Sequence, residues 1–286
     1  MNLKDNHLDN DILSKVELNA IMEAIKNRYG MDFSNYEQSS LLRGLRRVML
    51  KKNIKNAYDL WFSILGKTGF IGETIDDLFI NLTELFRNPE VWILLRNKVL
   101  LNLLDGKKTN KIKIWHVGCS TGEEVLSMAI ILEDMGLLDK SYLLGTDVSH
   151  KALKSAIKGQ YIKKTIKNHL SPLLKCNLKT SFDRYFDYID DYVSVKQKYL
   201  DAIEYKRQNV VETLPICDDF DIVFCRNVMI YFNEKLRSSV LNRLHQTLKP
   251  GGYLIIGYYD SLPLARAGLF DSYDSNCKVY RKKILQ

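Results

Sequence analysis

The stretch Ile112 to Glu124, IKIWHVGCSTGEE, constrains the fold of this chain more than any other. An apolar run from Ile112 to Val117 stops at Gly118, and Gly122 opens the next segment. A buried parallel strand reads as a near-continuous apolar run, and a glycine turn after it lets a ligand approach the backbone closely. The helix that follows then offers free N–H groups and the positive end of its dipole to the same place. A second apolar run, Tyr142 to Gly145, ends in Thr146 and Asp147. An acidic side chain at the tip of the second strand is where dinucleotide folds hold ribose hydroxyls.

GxxxGE is neither the GxGxxG fingerprint nor a loop ending in GK[ST]. Loop and acid together therefore suggest a nucleoside ligand without a diphosphate, and S-adenosylmethionine (SAM) is the candidate. An ordinary strand-to-helix turn in an α/β domain would use the same residues, so both readings stand at this point.

With 286 residues the chain has core enough for one large domain or two modest ones. Its 46% hydrophobic and 27% charged residues are those of a soluble globular protein. No apolar run approaches the roughly 20 residues of a membrane span, and the polar N-terminus MNLKDNHLDND is no signal peptide. Five scattered cysteines (Cys119, Cys176, Cys217, Cys225, Cys277) without a CxxC pair argue for a reducing, cytoplasmic setting and against a metal site. A net charge of +8 points to an acidic partner or surface.

Residues 1–12 read as a loosely attached tail. Apolar stripes at helical spacing (Leu18, Ile21, Met22, Ile25; Leu41, Leu42, Leu45, Val48, Met49; Leu60, Trp61, Ile64) then predict a small all-helical N-terminal domain over 1–72. A break from Gly66 to Gly72 serves as hinge to the second domain, 73–286. The second helix carries Arg43, Arg46, Arg47, Lys51, Lys52 and Lys55 with no acid. Such a run is most often a solvated face. Its functional reading is a docking surface for an acidic protein, with Arg43, Arg46, Arg47 and Lys51 as contacts. No interleaved aromatic platforms accompany it, which argues against nucleic acid.

From Ile112 onward the order is strand, helix (Glu124 to Met135), strand, helix (Ser149 to Ile157), a βαβα rhythm that implies a parallel sheet and the α/β class. A helix around Val91 to Leu104 precedes it. Residues 159–206 break the rhythm, and Asp190–Asp191 between alternating segments predicts a small inserted hairpin at about 180–206. The sheet resumes at FDIVFCRNVMIYF (220–232). A helix to Leu248 stops at Pro250–Gly251–Gly252, and Tyr253 to Tyr258 and Lys278 to Leu285 read as further strands. Arg226 and Asn227 directly follow a buried run, so they point into the crevice beyond the strand ends, although Asn227 would serve equally as a helix cap. His116 inside its strand and Cys225 beside Arg226 read as core residues, since no second histidine stands near either in sequence.

Taken together, these segments resemble the CheR-type chemotaxis receptor methyltransferases, SAM-dependent protein-glutamate O-methyltransferases, from about Leu18 to the C-terminus. NLTELFRN is similar to the family's N-x-T-x-F-F-R segment, with Leu85 for the first Phe. CSTGEE resembles its S-T-G-E-E SAM loop, FCRNVMIYF its F-C-R-N-V-x-I-Y-F segment, and LKPGGYL its P-G-G turn. YGMDFSNYEQSSLLRGLRRVMLKKNI is similar to the family's small helical domain. The resemblance implies a Rossmann-like SAM-dependent methyltransferase domain with the inserted β-hairpin subdomain, preceded by the helical domain.

It also implies SAM contacts from Asn81, Thr83, Arg87, Gly118, Glu123 or Glu124, Asp147, Asn209, Val210, Arg226 and Asn227. Arg87 would pair with the methionyl carboxylate, one of Glu123 and Glu124 with the ammonium, and Tyr231 would lie near the transferring methyl, so that Arg87 and Tyr231 are the expected catalytic pair. S-adenosylhomocysteine (SAH) is the product. The implied substrates are glutamates on the cytoplasmic helices of chemoreceptors, acted on by a cytoplasmic monomer without metal.

Two departures stand out. The family's G-H-S-E is here Gly257-Tyr258-Tyr259-Asp260, and no glycine lies between Gln160 and Gly251, where members that grip a receptor's C-terminal peptide carry a glycine-bearing loop. The latter predicts a tether-independent enzyme. The rival readings are a methyltransferase for another acidic signalling protein and a non-catalytic SAM- or SAH-binding scaffold. A nucleic-acid methyltransferase ranks below both, because no Pro-Pro motif occurs.

Overall fold

The computed structural model describes residues 13–79, 83–105, 111–168, 175–176, 182–213 and 219–284, and the chain divides into two compact units. The tail expected over 1–12 lies outside the described residues. The first unit comprises the chain up to Ile80 together with Tyr231–Leu236. The second comprises Asn81–Ile230 and Arg237–Gln286.

The first unit holds four helices: α1 (Lys15–Tyr29), α2 (Gln38–Lys52), α3 (Ala57–Gly66) and α4 (Phe70–Leu78). Ser14 and Glu17 start α1 with a reciprocal capping box, and Gly30 ends it in a left-handed conformation, φ 73°. Most of the expected apolar stripe is buried, with Leu18, Ile21 and Ile25 joining Leu45, Val48 and Leu60 in the core, but Trp61 is 41% exposed. Gly44 lets α2 lie against α4, since a Cβ there would stand 2.2 Å from the Leu78 carbonyl oxygen. The expected hinge is different. Gly66 ends α3 and Gly72 sits inside α4, so the break from Lys67 to Gly69 joins two helices of the same unit.

Much of the basic face of α2 is used within this unit. Arg46 Nη2 donates to the Leu13 carbonyl at 2.8 Å. Arg47 donates to the carbonyls of Asp77 and Leu78 at 3.3 and 3.1 Å, which satisfies the last carbonyls of α4. Lys51 pairs with Asp77 at 2.6 Å, and Lys52 with Glu73. Arg43 is exposed and, among the described residues, bonds locally to Ser40 Oγ.

The second unit is built on a seven-stranded sheet. Its strands are β1 (Ile112–Val117), β2 (Ser141–Asp147), β6 (Ile203–Arg207), β7 (Phe220–Cys225), β8 (Leu248–Ile256), β9 (Phe270–Asp274) and β10 (Val279–Lys282), in the order β6-β2-β1-β7-β8-β10-β9. Five run parallel, and β10 turns back antiparallel to both β8 and β9. The order reverses beside β1, between β2 and β7, which is the switch point where open α/β sheets take their ligands. A three-stranded antiparallel sheet stands apart: β3 (Gln160–Ile162), β4 (Phe186–Ile189) and β5 (Tyr192–Val195), ordered β3-β5-β4. Asp190, with φ 50°, turns the hairpin between β4 and β5 as its position implies.

Four details differ from expectation. Ile203–Arg207, assigned from the sequence to the end of the insertion, pairs with β2 from Leu143↔Ile203 to Asp147↔Arg207 and so forms the edge of the large sheet. The helix expected around 91–104 is two helices, α5 (Pro89–Leu94) and α6 (Leu100–Asp105), joined by a π-helical turn at Leu95–Val99. Pro250–Gly251–Gly252 lies inside β8, which begins directly after the helix Glu234–Thr247 and absorbs the turn as a register shift against β7. Strand β9 has no counterpart in the sequence pattern, because FDSYD is polar on an edge that leaves alternate residues in solvent.

Candidate functional site

The loop after β1 closes on itself at the switch point. Gly118 and Gly122 both have left-handed backbones, φ 67° and 92°, which a residue with a Cβ rarely adopts. Space excludes side chains as well. A Cβ on Gly118 would stand 2.5 Å from Val228 Cγ2, and one on Gly122 2.7 Å from the Tyr205 hydroxyl. Cys119 N–H donates to the Thr146 carbonyl at 2.9 Å, so the loop is stitched to the end of β2. The helix α7 (Glu123–Asp134) starts immediately afterwards and points its first N–H groups at this loop.

Asp147 ends β2 and is buried, with its carboxylate accepting from Ser120 N–H and from Ser149 N–H, both at 2.8 Å. Its carbonyl accepts from Gln208 N–H at 3.0 Å, which brings the chain after β6 to the same strand end. There Asn209 forms a local turn, accepting from Val211 N–H at 3.1 Å, and Val210 is buried.

The two glutamates that open α7 have separate environments. Glu124 bridges two partners: His116 Nδ1–H donates to Oε1 at 2.9 Å, and Arg226 Nη1 to Oε2 at 3.1 Å. Burial alone would raise this carboxyl, but the His116 hydrogen bond and the Arg226 charge outweigh it and hold the group below its usual value. Burial pushes the Glu123 carboxyl up to about 7, against hydrogen bonds from Thr121 Oγ1 at 2.6 Å and from its own backbone. Around it stand Cys119, Tyr161 and Tyr205, each of whose acidities is suppressed by burial first and by nearby acidic groups second.

Arg226 reaches further. Its Nη2 donates to Asn88 Oδ1 at 2.6 Å and to the Arg87 carbonyl at 3.1 Å, so the segment carrying Thr83 and Arg87 is tied to β7 and to α7. Trp92 Nε1–H adds a second donor to the Arg87 carbonyl at 3.0 Å. Leu85 and Phe86 are fully buried, so the leucine that departs from the family segment is a packing residue. Asn227, at φ 61°, donates its N–H to Asp260 Oδ2 at 2.7 Å, and Gly257 N–H donates to the same oxygen at 2.9 Å. Asp260 of the GYYD stretch therefore joins the ends of β7 and β8, and Tyr258 and Tyr259 stay exposed.

The structure thus gathers Gly118, Glu123, Glu124, Asp147, Asn209, Val210, Arg226, Asn227 and the Thr83–Arg87 segment at one end of one sheet. Asn81 lies outside the described residues. Tyr231 groups with the first unit, where its carbonyl accepts from Glu37 N–H at 2.9 Å and its ring meets Phe79 edge-on at 4.9 Å. Arg43, Arg46, Arg47 and Lys51 also belong to that unit. His116 and Asn88 are the members that sequence reasoning misses. Asn88 directly before Pro89 signals a helix start, but nothing local announces its bond to Arg226. The expectation of a core residue at His116 describes its burial, yet its ring is also the far end of the Glu124–Arg226 line.

Residues 81–279 match the CheR methyltransferase SAM-binding domain, and residues 16–79 match the CheR methyltransferase all-alpha domain. The chemotaxis protein methyltransferase of Borreliella burgdorferi is 31% identical over 273 residues, covering 92% of this chain and 94% of that protein. That of Vibrio parahaemolyticus is 33% identical, covering 70% of each. Chemotaxis protein methyltransferase 1 of Pseudomonas aeruginosa is 29% identical, covering 82% of this chain and 85% of its own length. With its helical domain, its glycine loop and the acidic and cationic groups at its switch point all accounted for, the chain belongs to the CheR family of SAM-dependent methyltransferases.

Proposed function

We propose that this chain transfers the methyl group of SAM to glutamate side chains on the acidic cytoplasmic helices of chemoreceptors. The observation that carries the reading is the convergence of Asp147, the Gly118–Gly122 loop, the two α7 glutamates and the Arg87 segment at one switch point. The residues fit the cofactor's parts. Asp147 ends β2, the position where such folds hold ribose hydroxyls, and the loop offers backbone without side chains at its two glycines. Ser120 Oγ is buried there without a hydrogen-bond partner among the described residues, an arrangement that normally calls for a ligand or water.

SAM, when bound, supplies the electrophilic methyl on its sulfonium. The chain's own task is then modest. A glutamate carboxylate is ionised at neutral pH and needs no strong base. Alignment and exclusion of water are what help. Arg87 would hold the methionyl carboxylate as a bidentate partner. Glu124 already balances the Arg226 guanidinium and holds the His116 ring, so the ammonium is assigned to Glu123. Asn209 and Val210 would meet the adenine, beside the ribose partner Asp147. Tyr231 is assigned to the methyl-transfer step on the family resemblance alone.

The exposed Arg43, with Lys51 and Lys55, would meet the acidic receptor helices by charge complementarity. The reading includes a monomeric, cytoplasmic enzyme. Among the described residues no helix is long and apolar enough to cross a membrane. Calorimetry with SAM and SAH on wild type and Asp147→Ala tests the site. Micromolar binding that Asp147→Ala abolishes, followed by methyl transfer to receptor fragments, is the expected outcome. A folded wild type that binds neither compound would sink the reading.

A further inference from the structure

Phe86, Arg87 and Asn88 form a short strap with an uncommon backbone. Phe86 and Asn88 both adopt left-handed dihedrals, φ 54° and 57°, on either side of Arg87. Strain of this kind persists only where the surroundings enforce it, and it gathers at ligand clamps. Here the enforcement is visible. Phe86 N–H donates to Ser127 Oγ at 2.9 Å, and Ser127 Oγ in turn donates to the Glu123 carbonyl at 2.7 Å. The Arg87 carbonyl accepts from Trp92 Nε1 and Arg226 Nη2, and Asn88 Oδ1 accepts the shortest bond of the set, 2.6 Å, from the same Arg226 nitrogen.

Arg226 is itself held. It is only 6% exposed, and Glu124 fixes its other terminal nitrogen while His116, stacked on Phe224 at 4.2 Å, fixes Glu124. A rigid line of hydrogen bonds therefore runs from β1 through α7 and the end of β7 to the strap. Buried charge-assisted bonds of this type are directional and stronger than neutral ones.

We propose that Asn88 is a positioning residue, whose side-chain carbonyl, gripped by Arg226, sets the direction in which the strap presents Arg87 to the cofactor carboxylate. This rests on the reading of Arg87 as the carboxylate's partner. The plain alternative is that asparagine stands there only because it tolerates a left-handed backbone and begins the helix with Pro89. Glycine separates the two. Asn88→Gly keeps the backbone freedom and removes the acceptor, whereas Asn88→Asp keeps an acceptor toward Arg226.

The experiment is SAH binding by calorimetry on wild type, Asn88→Gly and Asn88→Asp, with thermal unfolding of each. Asn88→Gly should weaken SAH about tenfold while the protein stays folded at the assay temperature, and Asn88→Asp should restore most of the loss. Glycine at wild-type affinity overturns the proposal, and so does aspartate as weak as glycine. Should the glycine variant unfold, the same titration is run on it and on wild type in trimethylamine N-oxide, which favours the folded state: tenfold weaker binding than wild type supports the proposal and wild-type affinity overturns it. A wild type that binds no SAH overturns the reading of the whole site along with it.

Discussion

With Glu123 as the partner proposed for the ammonium, cofactor binding should be sensitive to pH in a window where most carboxylates are silent. The Glu123 carboxyl is pushed up to about 7 by burial, against only the Thr121 hydroxyl and its own backbone as opposing influences. If Glu123 receives the cofactor's ammonium, binding requires it ionised. With a value near 7, about half of the free protein is ready at pH 7 and only about one molecule in eleven at pH 6. Affinity for SAH should therefore fall about tenfold between pH 8 and pH 6, with close to one proton released per ligand bound at the acid end. Glu124, held below its usual value, stays ionised throughout and contributes no slope. Calorimetry at pH 6, 7 and 8, in two buffers of different ionisation enthalpy, measures both quantities. Glu123→Gln should bind weakly at every pH and lose the slope.

The same shift has a consequence for the free protein. Because the folded value lies above the unfolded one, this contribution to stability is fully present below about pH 4.5 and is lost as pH rises through about 7. The full difference is about 3 kcal/mol, so SAH should stabilise the protein more at pH 8 than at pH 6. Affinity that stays flat from pH 6 to pH 8, or a Glu123→Gln variant that keeps the slope, would refute the assignment of Glu123 to the ammonium.

Charge reversal on α2 should sort its arginines into two kinds. Arg47→Glu removes the donors for the Asp77 and Leu78 carbonyls and should cost about 1–3 kcal/mol in urea denaturation; an unchanged midpoint would contradict its packing role. Arg43→Glu touches only solvent and Ser40, so stability should stay within about 0.5 kcal/mol while KM for an acidic receptor fragment rises severalfold, and an unchanged KM would count against this docking face. The absence of any glycine between Gln160 and Gly251 leads to the expectation that a free C-terminal receptor pentapeptide does not bind; micromolar binding in calorimetry would reverse that reading.

How much of the molecule is legible in advance follows from how local each signal is. The turn from β1 into α7 is readable because strand, glycines and helix start are consecutive in sequence, and each has its own composition. Asp147 is readable for the same reason, as the polar residue ending an apolar run. The first three helices of the N-terminal unit are visible in their 3.6-residue stripes, since a helix carries its pattern alone, whereas the fourth, Phe70–Leu78, falls across the expected hinge.

Composition and period therefore yield the α/β class, most of the strands and helices though not β9 or the fourth helix, and the glycine loop with Asp147. The tertiary structure decided how those groups are used. Arg226 meets Glu124 and Asn88 across more than a hundred positions of chain, and no local spacing encodes such a meeting. The edge position of β6 and the internal bonds of Arg46 and Arg47 likewise depend on which neighbours arrive from elsewhere. A side chain's type limits the bonds it can form, but which bonds it does form, and how far its ionisation shifts, depends on what packing brings within about 3 Å of it and on how much water that packing removes.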